Sequence, residues 1–342
     1  MDVLKDIGGQ IRSDLFLESA GFQEEREHGG DLPVREYEKN GLHVTEVCVK
    51  TAEQGARLNR VRGRYITIFS EELKENDGGI HQAAVNETAV WLRKLLPEKI
   101  KTVFVAGLGN SEASPDALGP DAVNHVAVNR HVRSEENQDM RSEENQDIPG
   151  EENHDVRSEE NPQKGLSVCA MIPGVMAKTG METANILTGV IEKIKPDALV
   201  VVDALAARSV TRLGTTIQIT DAGIFPGSGV GNHRREISRS VLGIPVIAIG
   251  IPMVVEAAAI IYETIDAIRS ALQQENMEQD AGFLKQLSRE EQYDLFRELL
   301  EKKARPLYVT VKDVDEIEKR LAFTLSEALN RAFSGMNSDP QT

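Results

Sequence analysis

Short apolar runs alternate with longer stretches of helical periodicity through the middle of this chain. Five runs have the composition or alternation of strands: 101–108, 166–172, 197–202, 215–220 and 245–250. Four stretches repeat apolar residues at the spacing of a helix: 80–96, 117–131, 181–194 and 253–272. Strands that alternate with helices predict βαβ units, a mostly parallel sheet and right-handed crossovers that put helices on both faces. We therefore expect an α/β three-layer sandwich.

The regions that flank this pattern have a different character. Residues 32–70 carry short β-like runs and predict a small antiparallel add-on, while the charged residues 278–304 predict a helical insertion. A helix over 312–333 closes the fold, and the tail at 335–342 is expected to fray. These regions are expected to belong to a single domain over 14–334.

A tandem repeat interrupts the pattern. Residues 133–164 read as four imperfect octads, RSEENQDM, RSEENQDI, PGEENHDV and RSEENPQK. Such a short polar repeat cannot bury enough apolar surface to fold, and a solenoid would need longer units with apolar positions. Its eleven acidic and four basic residues give a net of −7, nearly half of the chain's −16. We expect a disordered acidic insert without a catalytic role.

Charge and cysteine content limit the classes of function. The formal net charge of −16 disfavours direct binding to nucleic acid and is compatible with a basic or exposed polypeptide as partner. The two cysteines, Cys48 and Cys169, have no CxxC spacing, so neither a disulfide framework nor a cysteine zinc site is expected. The N-terminal residues lack the apolar core of a signal peptide, and no run approaches the roughly 18 apolar residues of a membrane span. We therefore expect a cytoplasmic protein that does not contact membranes.

Two aspartates follow apolar strands of the predicted sheet. Asp116 lies in the segment GLGNSEASPDALGP after the strand 101–108, and Asp203 directly follows the run ALVVV. Ligands of parallel α/β sheets bind outside the carboxyl ends of the strands, so both carboxylates are candidates for chemistry. A carboxyl group between two apolar tracts, as in VVVDALAA, is expected to be partly desolvated, which raises its pKa.

Each aspartate also has a purely structural interpretation. Asp116 can complement the dipole of the helix that follows it. Asp203 can cap a turn, or pair with Arg208 or Arg212. The GLGN segment resembles half of a dinucleotide fingerprint, but Glu112 stands where that fingerprint requires its third glycine, so a nucleotide site is not expected.

The chemistry of two close carboxyl groups can take two forms. They can share one proton and act on water as general base and general acid. They can also hold a metal together with a histidine, but the candidates His125, His131 and His233 show no ligand-type spacing, and we expect neither a metal nor another cofactor. Arg234 and Arg235 are interpreted as surface charge. Four weaker candidates for lining the site are Asn110, Arg208, Ser228 in the glycine-rich loop, and Glu256.

Four longer motifs resemble those of one protein family. They are GLGNSEASPDALGP, MIPGVMAKTGMET, VVVDALAARSVTRLGTTIQITDAGIFPGSGVGNHRREIS and GIPVIAIGIPMVVEA, and the resemblance covers most of residues 1–275 and the C-terminal helix. The family is that of the spore germination proteases, whose phosphorylase/hydrolase-like sandwich is similar in fold to the hydrogenase maturation proteases. The octad repeat is not part of this pattern. The resemblance implies an endopeptidase that degrades small acid-soluble spore proteins during germination.

The resemblance also implies roles for single residues. Asp116 in SPDALGP and Asp203 in VVDALAAR match the two positions proposed as catalytic in the family. The family is made as a zymogen that cleaves itself, and IRSDLFLES resembles its processing site. This implies a propeptide at residues 1–13 and a cut between Ser13 and Asp14. It further implies a homotetramer in the forespore or spore core.

Two alternatives remain open from the sequence. The same aspartates could serve a metal-dependent peptidase. The fold and its GLGN segment could instead bind a nucleoside or another small ligand without proteolysis. The sequence does not assign which carboxylate holds the proton.

Overall fold

The computed structural model describes residues 13–28, 30–130, 165–227, 234–274 and 307–336, together with 293, 295, 297, 298 and 300. The octad repeat lies outside these residues. So do most of the predicted propeptide, most of the predicted tail and all but five residues of the predicted helical insertion. Those five residues are helical.

Nine strands of the described residues form one mixed sheet. They are β1 (Val34–Lys39), β2 (Leu42–Val49), β3 (Gly63–Phe69), β4 (Thr102–Gly107), β5 (Ser167–Met171), β6 (Ala198–Ala207), β7 (Thr216–Thr220), β8 (Val246–Glu256) and β9 (Tyr308–Val309). The spatial order is β1-β2-β3-β7-β8-β6-β4-β5, with β9 paired to β8. The strands β8, β6, β4 and β5 run parallel and form the predicted parallel centre. The remaining pairs, including those of β1–β3, are antiparallel.

Helices cover both faces of this sheet, as the alternating pattern predicts. They are α1 (Ala20–His28), α2 (Ala52–Leu58), α3 (Gly78–Leu95), α4 (Leu118–Asn124), α5 (Met176–Thr179), α6 (Thr183–Ile194), α7 (Arg239–Leu242), α8 (Ala257–Gln274) and α9 (Val314–Ser334). Buried residues of α3, α4 and α9 share one core with Val200 and Val202 of β6. Buried residues of α6 pack on Leu199 and Val201, which point to the opposite face. The alternation of side chains along β6 therefore separates two helical layers, and the three-layer sandwich is confirmed.

The helix predicted over 117–131 ends already at Asn124, and two strand ends also differ from the sequence prediction. The predicted strand 197–202 ends before Asp203, but β6 continues to Ala207. The predicted helix begins at residue 253, but β8 continues to Glu256 and the helix α8 begins only at Ala257. Both errors have the same cause, because the ends of β6 and β8 pair with each other from Asp203↔Gly250 to Ala207↔Val255. Tertiary pairing overrides the low strand propensity of an aspartate and the helical spacing of MVVE.

A buried acid joins two helices of one layer. Glu318 on α9 is 2 % exposed, and its Oε1 has no hydrogen-bond partner. Burial, with the neighbouring charge of Asp121 on α4, raises the pKa of Glu318 from 4.5 to about 8. The folded chain therefore retains a proton that the unfolded chain releases above pH 4.5, so this group makes the fold less stable as the pH rises from about 4.5 to about 8.

Replacing Glu318 by Gln is expected to remove this loss. The amide is neutral at every pH and keeps the shape of the protonated acid. The variant should exceed the wild type in free energy of unfolding by on the order of 2 kcal/mol above pH 8, and by much less near pH 5. Urea unfolding across this range measures it. Glu327→Gln, at an exposed position of the same helix, is the matched control and should follow the wild type. Equal pH dependence in wild type and Glu318→Gln would contradict this interpretation.

Candidate active site

Asp203 lies on the face of β6 that α6 and α8 cover. The neighbouring side chains on that face are Val201, which packs in the cluster beneath α6, and Leu205, which packs in the cluster with α8. Asp203 therefore lies between two apolar clusters and is only 6 % exposed. Its partner strand β4 ends at Gly107, opposite Val202, so β4 does not pair with Asp203 itself.

A row of three residues crosses the sheet at Asp203. Asp203 pairs with Gly250 of β8, and Gly250 pairs with Gln218 of β7. Directly paired residues face the same side of a sheet, so the side chains of Asp203 and Gln218 flank Gly250. A Cβ atom on Gly250 would lie 2.5 Å from the carbonyl oxygen of Asp203 and 2.7 Å from Cγ of Leu205. The backbone of Asp203 and the side chain of Leu205 therefore occupy the space that a side chain at position 250 would need.

Asp116 is supplied by the loop between β4 and α4. It ends a short 3₁₀ helix, Ser114–Asp116, with a proline in its first turn. Its carbonyl oxygen accepts a 3.0 Å hydrogen bond from the backbone N–H of Asn110. The intervening Gly109 has φ 117°, a conformation that favours glycine, and a Cβ there would lie 2.0 Å from the carbonyl oxygen of Asp116. The loop is therefore tightly closed around Asp116.

Close packing fixes Asp116 relative to Asp203. The helix α4 begins two residues after Asp116, and a Cβ on its Gly119 would lie 2.2 Å from the carbonyl oxygen of Leu108 and 2.5 Å from that of Val202. The start of α4 thus rests directly on the ends of β4 and β6. The acidic residue in the first turn of α4 is Asp121, so a dipole role for Asp116 is unnecessary.

The two carboxyl groups influence each other. Burial raises the pKa of Asp203 well above its usual range, and the charges of Asp116 and Asp14 raise it further. Burial also raises the pKa of Asp116, against opposing effects of the Asn110 N–H and of the Arg234 charge. Since both charged forms are disfavoured, the pair retains a proton at a pH where ordinary aspartates are ionised.

The N-terminal segment docks beside this pair. The N–H of Asp14 donates to the carbonyl oxygen of Ala206, and the N–H of Ala206 donates to Oδ2 of Asp14, both at 2.9 Å. Gln218 contacts the segment at two points, since its Nε2 donates to the Asp14 carbonyl and its Oε1 accepts from the N–H of Phe16. The segment therefore lies beside the row Asp203–Gly250–Gln218 and makes one backbone–backbone hydrogen bond to β6.

Side chains anchor the same segment. Leu15 is 2 % exposed in the cluster with α8, and Phe16 is fully buried against Tyr65 and Phe22. Arg60 donates from Nη2 to the carbonyl oxygens of Ser13 and Leu15, at 3.3 and 3.0 Å.

The acidic side chain of Glu18 holds the end of the segment. It accepts hydrogen bonds from the N–H groups of Arg208 and Ser209 at 2.6 and 3.0 Å, and from the hydroxyl of Ser13 at 2.5 Å.

The remaining sequence candidates lie elsewhere or have other partners. The guanidinium of Arg208 lies over the ring of Tyr262, and that of Arg212 lies over the ring of Phe69. Neither arginine is therefore the ion-pair partner that the structural interpretation of Asp203 requires. Glu256 is buried and accepts a hydrogen bond from the hydroxyl of Tyr293. It is six residues along β8 from Gly250, about 20 Å at the rise of a strand, so it does not belong to this cluster. Ser228 lies outside the described residues.

Arg234 was interpreted from the sequence as surface charge, and the structure corrects this. Its Nε atom is buried without a hydrogen-bond partner, and its charge lowers the pKa of both Asp116 and Asp203. In the sequence, Arg234 is one of two consecutive arginines beside a glycine-rich loop. This pattern does not show which of the two side chains is buried and which is exposed.

The described residues contain neither a metal-binding cluster nor a membrane-spanning helix. No group of three or more His, Cys, Asp or Glu side chains could hold a metal ion there. Of the histidine candidates, His125 binds the carbonyl oxygen of Asp121 through Nδ1, and His131 and His233 lie outside those residues. No helix within the described ranges is long and apolar enough to cross a membrane.

Comparison with known proteins identifies the family. A model of the germination protease family matches residues 13–145 and 154–283, and the unmatched stretch between them lies inside the octad repeat. The germination protease of Caldanaerobacter subterraneus subsp. tengcongensis is 36% identical over 325 residues, which cover 94% of each chain. Those of Clostridium tetani and a Geobacillus species are 35% and 34% identical over 94% of this chain and over 95% and 93% of their own lengths. The chain therefore belongs to the germination protease family, a family of peptidases.

Proposed function

We propose that this chain is an endopeptidase that hydrolyses peptide bonds with water activated at the Asp116/Asp203 pair. The observation that carries the proposal is the buried Asp203, whose pKa is raised by burial and by Asp116, on a strand to which the N-terminal segment of the chain itself is docked. Two carboxyl groups that share a proton supply a base for water and an acid for the departing amine.

The environments of the two aspartates support different roles. Asp203 is the more deeply buried, and the charges of Asp116 and Asp14 oppose its ionisation, so it is assigned the proton and the role of general acid. Asp116 is half-buried, and the Asn110 N–H and the Arg234 charge both favour its ionised form. It is therefore assigned the role of general base. Activity should then depend on pH as a bell, with the upper limb belonging to the raised pKa of the pair.

The proposed substrates are small acid-soluble spore proteins, cleaved at the start of spore germination. Family membership supports a protease role in germination, and the net charge of −16 suits a basic polypeptide substrate. The proposal includes action in the spore core, as a homotetramer and without a cofactor.

We extend the proposal to self-processing between Ser13 and Asp14. Support comes from the contacts of that segment, because Asp14 is bound to Ala206, three residues from Asp203 on the same strand, and its charge acts on Asp203. The side chains of Leu15 and Phe16 are buried, so residues 14–18 are expected to stay bound after the cut.

Incubation with a purified small acid-soluble spore protein tests the function. The full chain and a form that begins at Asp14 are each incubated with the substrate, and fragments are identified by mass spectrometry. We expect defined internal fragments from the form that begins at Asp14, and unchanged activity in a strong chelator. Loss of activity in the chelator, with recovery on adding a divalent metal, would favour the metal-dependent alternative. Absence of fragments with both forms would favour a small-ligand-binding protein.

A further inference from the structure

A backbone bridge in the connection between β7 and β8 lies over the part of the sheet that contains Asp203. Ile224 and Ile237 form an antiparallel bridge with two reciprocal 2.9 Å backbone hydrogen bonds. Ile237 is fully buried in the cluster beneath α6, and Ile224 packs against both that cluster and the cluster with α8. Asp203 lies between these two clusters, so the bridge holds this connection over the same face as Asp203.

Two consecutive arginines precede the bridge and point in different directions. Arg235 is exposed and attached to α6, since its N–H donates to Glu182 at 3.0 Å and its Nη1 donates to Asn185 at 2.9 Å. Arg234 is half-buried, and its Nε is inaccessible to solvent without a hydrogen-bond partner. Arg235 is therefore held on α6, whereas Arg234 is partly buried without such an anchor in the described part of the chain.

The guanidinium of Arg234 is close enough to act on the two aspartates but, within the described residues, forms no ion pair with either of them. It acts electrostatically on both Asp116 and Asp203. Among the ion pairs of the described residues, none joins Arg234 to either aspartate. Another cation near the docked segment, Arg60, already binds the carbonyl oxygens of Ser13 and Leu15. Arg234 thus has N–H donors available for a group that enters between it and the aspartates.

We propose that Arg234 is a catalytic residue, whose guanidinium binds the carbonyl oxygen of the scissile peptide and stabilises the oxyanion of the tetrahedral intermediate. Attack by water forms a C–O bond, one water proton passes to an aspartate, and the C=O π electrons move to the oxygen beside Arg234. Collapse of the oxyanion breaks the C–N bond while the protonated aspartate donates to the amine. An arginine remains charged throughout this cycle and presents several N–H donors. The inference rests on the proposed peptidase function.

The test compares Arg234 with its neighbour in the form of the chain that begins at Asp14, which the proposed function expects to be active. With a peptide substrate that has one cleavage site, Arg234→Gln is expected to lower kcat about 100-fold with KM changed less than about threefold, as loss of one oxyanion donor does. Arg234→Lys should be intermediate, because it keeps the charge but not the planar fork. The matched control Arg235→Gln should stay within about threefold of the wild type in both constants.

Two further readouts separate a catalytic role from a structural one. Added methylguanidinium, well below unfolding concentrations, should restore part of the activity of Arg234→Ala and leave the wild type unchanged. Loss of the positive charge should also shift the pH–rate profile of Arg234→Gln upward, because the pKa of both aspartates is then no longer lowered by Arg234. Wild-type cleavage with an equally active Arg234→Gln would overturn this inference and leave the proposed function intact. A wild type that cleaves no peptide would overturn both.

Discussion

Replacing Asp203 by Asn is expected to reduce kcat/KM for peptide cleavage by about 10³-fold or more, without unfolding the chain. The amide keeps the shape and buried position of the protonated carboxyl group but cannot give up a proton. The folded state should be as stable as the wild type or more so, since the variant removes a buried acid whose ionised form Asp116 and Asp14 oppose. Cleavage kinetics and urea unfolding of the same preparation measure both effects.

Asp116→Asn is expected to cause a loss of similar size. If the two carboxyl groups act as one unit, the double variant should be no less active than the more damaged single variant. The matched control is Asp197→Asn, at the exposed amino end of β6, where the carboxylate accepts from the N–H groups of Lys101 and Thr102. That control should keep full activity. Full activity in either Asp116→Asn or Asp203→Asn would remove that residue from the mechanism.

Replacing Phe16 by Ala is expected to destabilise the fold by about 3–5 kcal/mol, the usual cost of truncating a fully buried phenylalanine. Phe16 has no exposed surface, and its ring lies 4.3 Å from that of Tyr65 and 5.3 Å from that of Phe22, measured between centroids. The loss should appear as a lower urea midpoint of the full chain.

Leu17→Ala is the control for this prediction. Leu17 belongs to the same segment but is only half-buried, so about 1 kcal/mol is expected. Similar small losses in both variants would show that the segment contributes little to the fold. In that case it could leave the site readily, and our expectation that residues 14–18 stay bound would be wrong.

The central strands and helices were predictable because their signals are local. The runs at 101–108, 166–172 and 245–250 are apolar enough to require burial, and their alternation with helical spacing leaves few topologies. The prediction failed where a residue's neighbours on other strands decide its conformation. In the sequence, Asp203 looks like the residue that ends a strand. In the structure, β6 continues through Asp203 because β8 pairs alongside it.

The candidate site was predictable only in part for the same reason. Asp116 and Asp203 stand in recognisable motifs, so their positions could be inferred. Glu256 stands in a similar motif, but its carboxylate binds Tyr293, on a segment far along the chain. Arg234 looks like its neighbour Arg235 in the sequence, and only the bridge between Ile224 and Ile237 separates their environments.

By itself, the sequence determined the α/β class, the parallel centre of the sheet and the two aspartates, because apolar periodicity and motif spacing are properties of neighbouring residues. The tertiary structure decided which charges meet. It brings Asp14, Asp116, Asp203 and Arg234 together from four separate segments and removes Asp203 from water. Electrostatic energies depend on distance and burial, which chain folding sets between residues far apart in sequence, and no local pattern contains them.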